Sequence, residues 1–215
     1  LEFSLLSVLF FGFILGIKHS IEPDHIIAVS TMVGTNKKLW RSTLTGVFWG
    51  IGHTSTLFIV GMILVLLKGE LPEVWAMSLE FLVGIMLVYL GFKSMASIKK
   101  SNIEPHTHER SPLIKIFIIG FIHGLAGSAA MVLLTLTTVS SIWECAVYIL
   151  IFGLGTISGM LIFTTILGIP FVYSKKNVVL NRSLTQLAGS ISFIFGIYYM
   201  YNLGVREGLF QLWLN

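Results

Sequence analysis

A chain of 215 residues in which 55% are hydrophobic and only 11% charged, with a mean hydropathy of +0.88, lacks the surface charge of a soluble domain, where about 25% is usual. Its net charge of +4 does not mark a nucleic-acid binder, because the basic residues sit in short stretches between apolar runs and form no groove. The single cysteine, Cys145, excludes an internal disulfide or a thiol redox pair.

Length is better counted in membrane spans, each needing roughly 20 apolar residues. Six are expected, at about 3–33, 43–67, 74–96, 113–138, 143–172 and 184–204. The opening run has no basic segment before it and passes straight into the polar residues at His19, so it reads as a span rather than a secretory signal. Lys37, Lys38 and Arg41 follow the first span. Lys93, Lys99, Lys100, Arg110 and Lys115 surround the third connection, and Lys175, Lys176 and Arg182 the fifth. These alternate loops hold 11 of the 14 Lys and Arg residues. The positive-inside rule puts them in the cytoplasm and both observed termini outside, as expected of a multi-pass protein of the cell membrane.

The halves resemble each other. GFILGIKHS from Gly12 aligns with GFIHGLAGS from Gly120, GIGHTS from Gly50 with GLGTIS from Gly153, and LVGIMLVYLG from Leu82 with LAGSISFIFG from Leu187. The offsets are 108, 103 and 105 residues. Three spans per unit force the second copy to enter from the opposite side. The expected fold is therefore an all-α integral membrane domain spanning 1–215, a 3+3 inverted repeat with units at about 3–98 and 113–206 and a cytoplasmic loop at about 99–112. Many of the 21 glycines fall in these helices, where small residues permit close packing.

The first span carries chemistry. Lys18, His19, Glu22, Asp24 and His25 place five ionisable groups in eight positions of an otherwise apolar run, and such groups at membrane depth mark function. On a straight helix His19 and His25 would point about 120° apart. Pro23 has no N–H for the carbonyl of His19, and its ring disfavours a straight helix. A break there would free that carbonyl and turn Asp24 and His25 toward the side of His19. Two imidazoles and a carboxylate suit a divalent ion such as Ni²⁺, Co²⁺ or Zn²⁺; the plainer alternative is ion pairing that merely ties helices together. Lys18 and Glu22 read either as direct contacts or as groups that balance charge and orient ligands.

The second span adds His53, flanked by Gly50 and Gly52, as a further candidate ligand. His123 falls, in the 108-residue alignment, at the repeat position of Leu15, and is a candidate ligand or a neighbour of the site. The pair His106 and His108 in the third connection reads as a solvated loop. Trp40, Trp49, Trp75, Trp143 and Trp213 read as interface anchors or lipid contacts. No G-x-x-x-x-G-K-[ST] loop is present, so nucleotide hydrolysis is not expected of this chain.

The run H-S-I-E-P-D-H, from His19 to Asp24 and His25, resembles the H-x-x-x-x-D-H signature of the nickel/cobalt transporter family, and Lys18 and the apolar run beyond fit its flanks. The G-x-G-H segment ending at His53 is similar to the family's next-helix histidine motif. Where close relatives of the well-studied permeases have an acidic G-F-D-T-A-T-E segment, this chain has GFIHGLAGSAA, a version that resembles the urease-accessory, nickel-permease branch. The resemblance covers the first two spans best. It implies a permease for Ni²⁺ or Co²⁺ with His19, Asp24, His25 and His53 at the metal. The ion is then substrate rather than cofactor, and the other expected partner is the lipid bilayer. Histidine binds metal only when neutral, which couples affinity to protons. Two alternatives stand beside the permease. One is a membrane enzyme using His19 and Asp24 as an acyltransferase-like H-x-x-x-x-D dyad. The other is an accessory subunit that transports nothing.

Overall fold

A computed structural model describes residues 5–34, 36, 38–67, 71–100, 112–138 and 141–214. The helices are α1 (Leu5–His19), α2 (Pro23–Val33), α3 (Leu39–Leu67), α4 (Glu73–Lys100), α5 (Pro112–Thr138), α6 (Ile142–Tyr173), α7 (Val178–Tyr201) and the short α8 (Leu209–Leu214). A 3-10 turn at Ser174–Lys176 and a π turn at Asn202–Arg206 complete the regular structure among the described residues. The loop bearing His106 and His108 lies outside them.

α3, α4 and α6 are long and apolar enough to cross a membrane, and α1 with α2 makes a fourth crossing if the bent pair counts as one span. α5 contributes a shorter apolar stretch, Leu113–Gly127. α7 is not in this set; Asn181, Arg182, Ser183 and Gln186 dilute its first half. The outward faces are apolar, with Phe10, Ile63, Phe92, Leu154 and Ile194 all exposed. That pattern suits lipid and would be an aggregation hazard in water. Trp40, Trp75, Trp143 and Trp213 are also exposed. Trp49 departs from the expectation: it is 0% exposed, in a core with Val29, Ile116 and Met160.

The break between α1 and α2 falls where Pro23 predicts. Pro23 opens α2, Glu22 before it is extended (φ −61°, ψ 144°), and the two helix axes differ by 57°. Pro favours the first helical position and excludes its predecessor from the α region. The carbonyl of His19 is not left free, however: the Glu22 N–H donates to it at 3.1 Å. The tight turn at 20–22 therefore satisfies the backbone without recruiting that carbonyl as a ligand.

Glycines set the helix pairs. A Cβ on Gly16 would strike the Phe152 carbonyl, and one on Gly155 the Phe13 carbonyl, so α1 lies against α6; Gly12 at Tyr148 and Gly159 at Ser20 show that the two run parallel. Gly120 meets the Trp49 carbonyl and Gly52 that of Phe117, bringing α3 and α5 together, and Gly124 at the His53 carbonyl, one turn further along both helices, shows that they too run parallel. α3 and α6 are antiparallel, with Gly50 at Ile157 and Gly153 at Thr54. α4 and α7 are antiparallel through Gly84 at Gly196 and Gly91 at Gly189. Such approaches favour dispersion contact between backbones where lipid removes most of the hydrophobic drive. These directions bring Lys38, Arg41, Lys93, Lys115, Lys175 and Arg182 to one end of the bundle.

Candidate metal centre

The end of α1, the first turn of α2, the middle of α3 and the middle of α5 converge on one cluster. His25 is 2% exposed, His53 0% and His123 1%. Asp24 stands in the first turn of α2, where the positive end of the helix favours a carboxylate. Its two oxygens each hold an imidazole: His25 Nδ1 lies 2.9 Å from Oδ1 and His123 Nε2 lies 2.8 Å from Oδ2. With both N–H groups donating to the carboxylate, His25 Nε2 and His123 Nδ1 are left as lone pairs, and both are buried without another partner. His19 repeats the arrangement, its Nδ1 being 3.0 Å from Glu22 Oε1 and its Nε2 3.1 Å from His53 Nε2.

Carboxylates behind imidazoles fix the ring orientation and tautomer of metal ligands. Here they fix three of the four rings. His53 is held differently, stacked on Trp49 one turn earlier, with ring centroids 4.9 Å apart and planes 13° apart. The same indole meets His25 and His123 edge-on, at 4.9 and 5.1 Å. Phe152 of α6 closes the side of His19 at 5.4 Å.

Two sets of three donors are close enough to hold an ion: His19, His25 and His53, and Asp24, His25 and His123. Within each set the donor atoms lie within 4.8 Å of one another. Donors of one ion bound at about 2.1 Å are at most roughly 4.2 Å apart, so each set needs only a small contraction. The 3.1 Å between His19 and His53 already falls in the range that one ion imposes. His25 belongs to both sets.

A cavity of about 320 Å³ adjoins the cluster, lined by Lys18, His19, Glu22, Asp24, His25 and His123 together with Glu80 of α4 and Tyr199 of α7. Lys18 and Glu22 stand on its wall rather than among the converging donors. The sequence-predicted His19, Asp24, His25 and His53 are thus brought together, and His123 joins them as an equal.

Three residues escaped the sequence reading. Trp49 sits one turn before His53, a spacing that signals a shared face. Glu80 is an acid two turns inside α4, flanked by apolar residues, which marks function by the same rule as the first-span cluster. Tyr199 carries no signal in the sequence alone. Of the hydroxyls near these motifs, Thr54 reaches the Gly153 carbonyl at 3.4 Å, whereas Ser55 bonds its own helix at Ile51.

The enzyme dyad does not match this geometry. Asp24 carries His25 and His123, while His19 pairs with Glu22 and His53.

No family model and no solved structure matches the chain. Among curated proteins it is 55% identical to the urease accessory protein UreH of Bacillus sp. (strain TB-90), over 100% of this chain and 99% of that protein. It is 29% identical, over 87% of this chain and 89% of the relative, to a Methanocaldococcus jannaschii protein provisionally named a nickel/cobalt efflux system. The chloroplast protein FOR GROWTH AND FERTILITY 1 of Arabidopsis thaliana is 26% identical over 86% of this chain and 56% of its own length. None of the three is named as an enzyme. With the first relative aligned end to end and the motif cluster in place, the chain belongs to the nickel/cobalt transporter family, in the branch of the urease accessory protein UreH.

Proposed function

We propose that the chain is a secondary permease of the cell membrane for Ni²⁺, with Co²⁺ as a second cargo, and that His19, Asp24, His25, His53 and His123 hold the ion on its way through. The observation that carries this reading is the pair of buried donor sets sharing His25 beside a cavity, in a bundle whose outer faces are apolar. Donors of this kind suit Ni²⁺ and Co²⁺ better than Mg²⁺ or Ca²⁺, which prefer oxygen alone. Asp24 acts chiefly by orienting His25 and His123. Glu22 does the same for His19.

The bundle is a single membrane domain of six spans in a 3+3 inverted repeat, with the basic loops cytoplasmic and both observed termini outside. Reciprocal contacts support the repeat. Gly16 at Phe152 has its counterpart in Gly120 at Trp49, Gly155 at Phe13 in Gly52 at Phe117, and Gly91 at Gly189 in Gly196 at Gly84. These pairs relate the halves by 104 residues in the first helix, 103 in the second and 105 in the third. The first value is one helical turn shorter than the 108 of the GFILG–GFIHG alignment. On that register His123 is the counterpart of His19, not of Leu15. Since α1 parallels α6, α6 opposes α3 and α3 parallels α5, the two equivalent helices α1 and α5 run in opposite directions. Rocking of inverted halves about a shared site then exposes the ion to each side in turn.

The test is uptake of Ni²⁺ by cells at limiting metal. His53→Ala is expected to abolish it at unchanged protein level. Normal uptake by that variant reduces His53 to a packing residue and removes one of the two donor sets. The name of the UreH relative favours one second reading, an accessory subunit that binds metal without moving it; flux through the purified protein separates the two.

A further inference from the structure

The cavity beside the histidines holds a carboxylate that the donor sets do not use. Glu80 lies on α4, seven residues after its start at Glu73, and its Oε2 accepts the Tyr199 hydroxyl at 3.2 Å. Both residues line the 320 Å³ cavity with Glu22, Asp24 and Lys18. Three carboxylates face one cation there. Asp24 is occupied by two imidazoles and Glu22 by the His19 ring, so Glu80 is the carboxylate that the histidines leave over. His25 and His123 line the same cavity, and each has a buried ring nitrogen with no partner.

Depth along the helices orders these groups. Glu80 is roughly 10 Å from the start of α4 at 1.5 Å per residue, whereas His19 is roughly 20 Å along α1. Tyr199 is two residues from the end of α7. The start of α4 and the end of α7 form the end of the bundle opposite the basic residues. An ion entering from that end meets Glu80 before the imidazoles. Six waters occupy about 180 Å³ at some 30 Å³ each, so the cavity accommodates a fully hydrated divalent cation. Carboxylates at channel mouths concentrate cations by the same attraction.

We infer that Glu80 forms an outer station that captures the hydrated divalent cation and passes it to the histidine donors. It rests on the permease reading for the direction of transfer, but the station itself stands on the cavity and its charges. The competing role for Glu80 is a clasp between α4 and α7, which the amide of Glu80→Gln would preserve by accepting the same Tyr199 hydroxyl.

The full-length protein in detergent is titrated with CoCl₂ alone, followed by calorimetry and visible absorption. Wild type is expected to show a tight step whose visible bands are shifted from those of hydrated Co²⁺ by nitrogen ligation, and a weaker step that keeps the faint bands of six-coordinate, oxygen-ligated Co²⁺. Glu80→Gln is expected to weaken the second step on the order of tenfold or more, the scale of a lost supporting carboxylate, and to leave the first intact. His53→Ala does the reverse. Ser192→Ala, which removes a 2.8 Å hydrogen bond from α7 to the Leu87 carbonyl of α4 outside the cavity, leaves both steps unchanged. An unaltered second step in Glu80→Gln, or its equal loss in Ser192→Ala, overturns the outer station while the histidine site stands. A weak step sensitive to Glu80 with no tight step overturns the histidine site instead. No Co²⁺ binding at all overturns both.

Discussion

Asp24→Asn isolates the orienting role of the carboxylate, because it keeps the size of the side chain and changes only what its two ends offer. In the native site both oxygens accept N–H groups, from His25 at 2.9 Å and His123 at 2.8 Å. An asparagine presents one oxygen and one NH₂. The oxygen serves one imidazole as before. The NH₂ faces the other, which must present a lone pair to it and therefore carries its proton on the nitrogen meant for the metal. One of the two rings is thus converted from a donor into an obstacle. Loss of such a supporting carboxylate weakens metal binding by about 10- to 100-fold, or roughly 1.4–2.7 kcal/mol. His25→Ala removes a ligand common to both donor sets and is expected to cost more than Asp24→Asn. Competition for Ni²⁺ against a chromophoric chelator, with the protein in detergent, measures both. Asp24→Asn within twofold of wild type refutes the orienting role. A loss equal to that of His25→Ala shows that Asp24 binds the ion directly.

Other expectations follow from the same geometry. Trp49→Ala opens a cavity behind His53 and His25, and should cost roughly 3–5 kcal/mol of stability together with metal affinity; Trp49→Phe, which keeps an aromatic ring beside His53, should recover much of both in thermal unfolding. Gly155→Leu drives a side chain into the Phe13 backbone and should prevent folding or lower the unfolding temperature sharply, whereas a leucine at lipid-facing Ile162 should be neutral. Cysteines at Lys38 and Lys176, in a Cys145→Ala background, should react with a membrane-impermeant reagent only from the cytoplasmic side; labelling from outside reverses the topology. Because protons compete with the metal for imidazole nitrogens, Ni²⁺ affinity should fall as pH drops from 7 to 5, and a flat profile would mean the histidines are not the ligands.

Much of this was legible in the sequence because the membrane penalises polar groups. Lys18, His19, Glu22, Asp24 and His25 stand out against an apolar background, and Pro23 dictates both the break and the start of α2. His53 was legible from its glycines, which admit α5 and α6 closely enough to bury the ring. His123 was found as a candidate, whereas the repeat register proposed from the glycine contacts pairs it with His19 rather than Leu15. The letters GFILG and GFIHG match best at 108 residues, whereas backbone contact is made by Gly16 and Gly120, 104 apart. Repeating glycines every four residues makes a one-turn slip nearly free in letters, while in space it displaces the helix by about 5.4 Å. Trp49 was misread because tryptophan is usually an interfacial residue in membranes; its burial follows from helix pairing that no local pattern reveals. Glu80 and Tyr199 meet the site only through the pairing of α4 with α7, between residues 119 apart in sequence.

The central claim is that these residues move an ion across a membrane, and flux through the pure protein tests it most directly. Reconstituted in liposomes with a nickel-sensitive dye inside, wild type should give saturable Ni²⁺ entry well above protein-free vesicles, and His25→Ala should return it to the background. Tight Ni²⁺ binding to the wild-type protein with entry no faster than in empty liposomes would contradict the account, and would make the chain a metal-binding accessory rather than a permease.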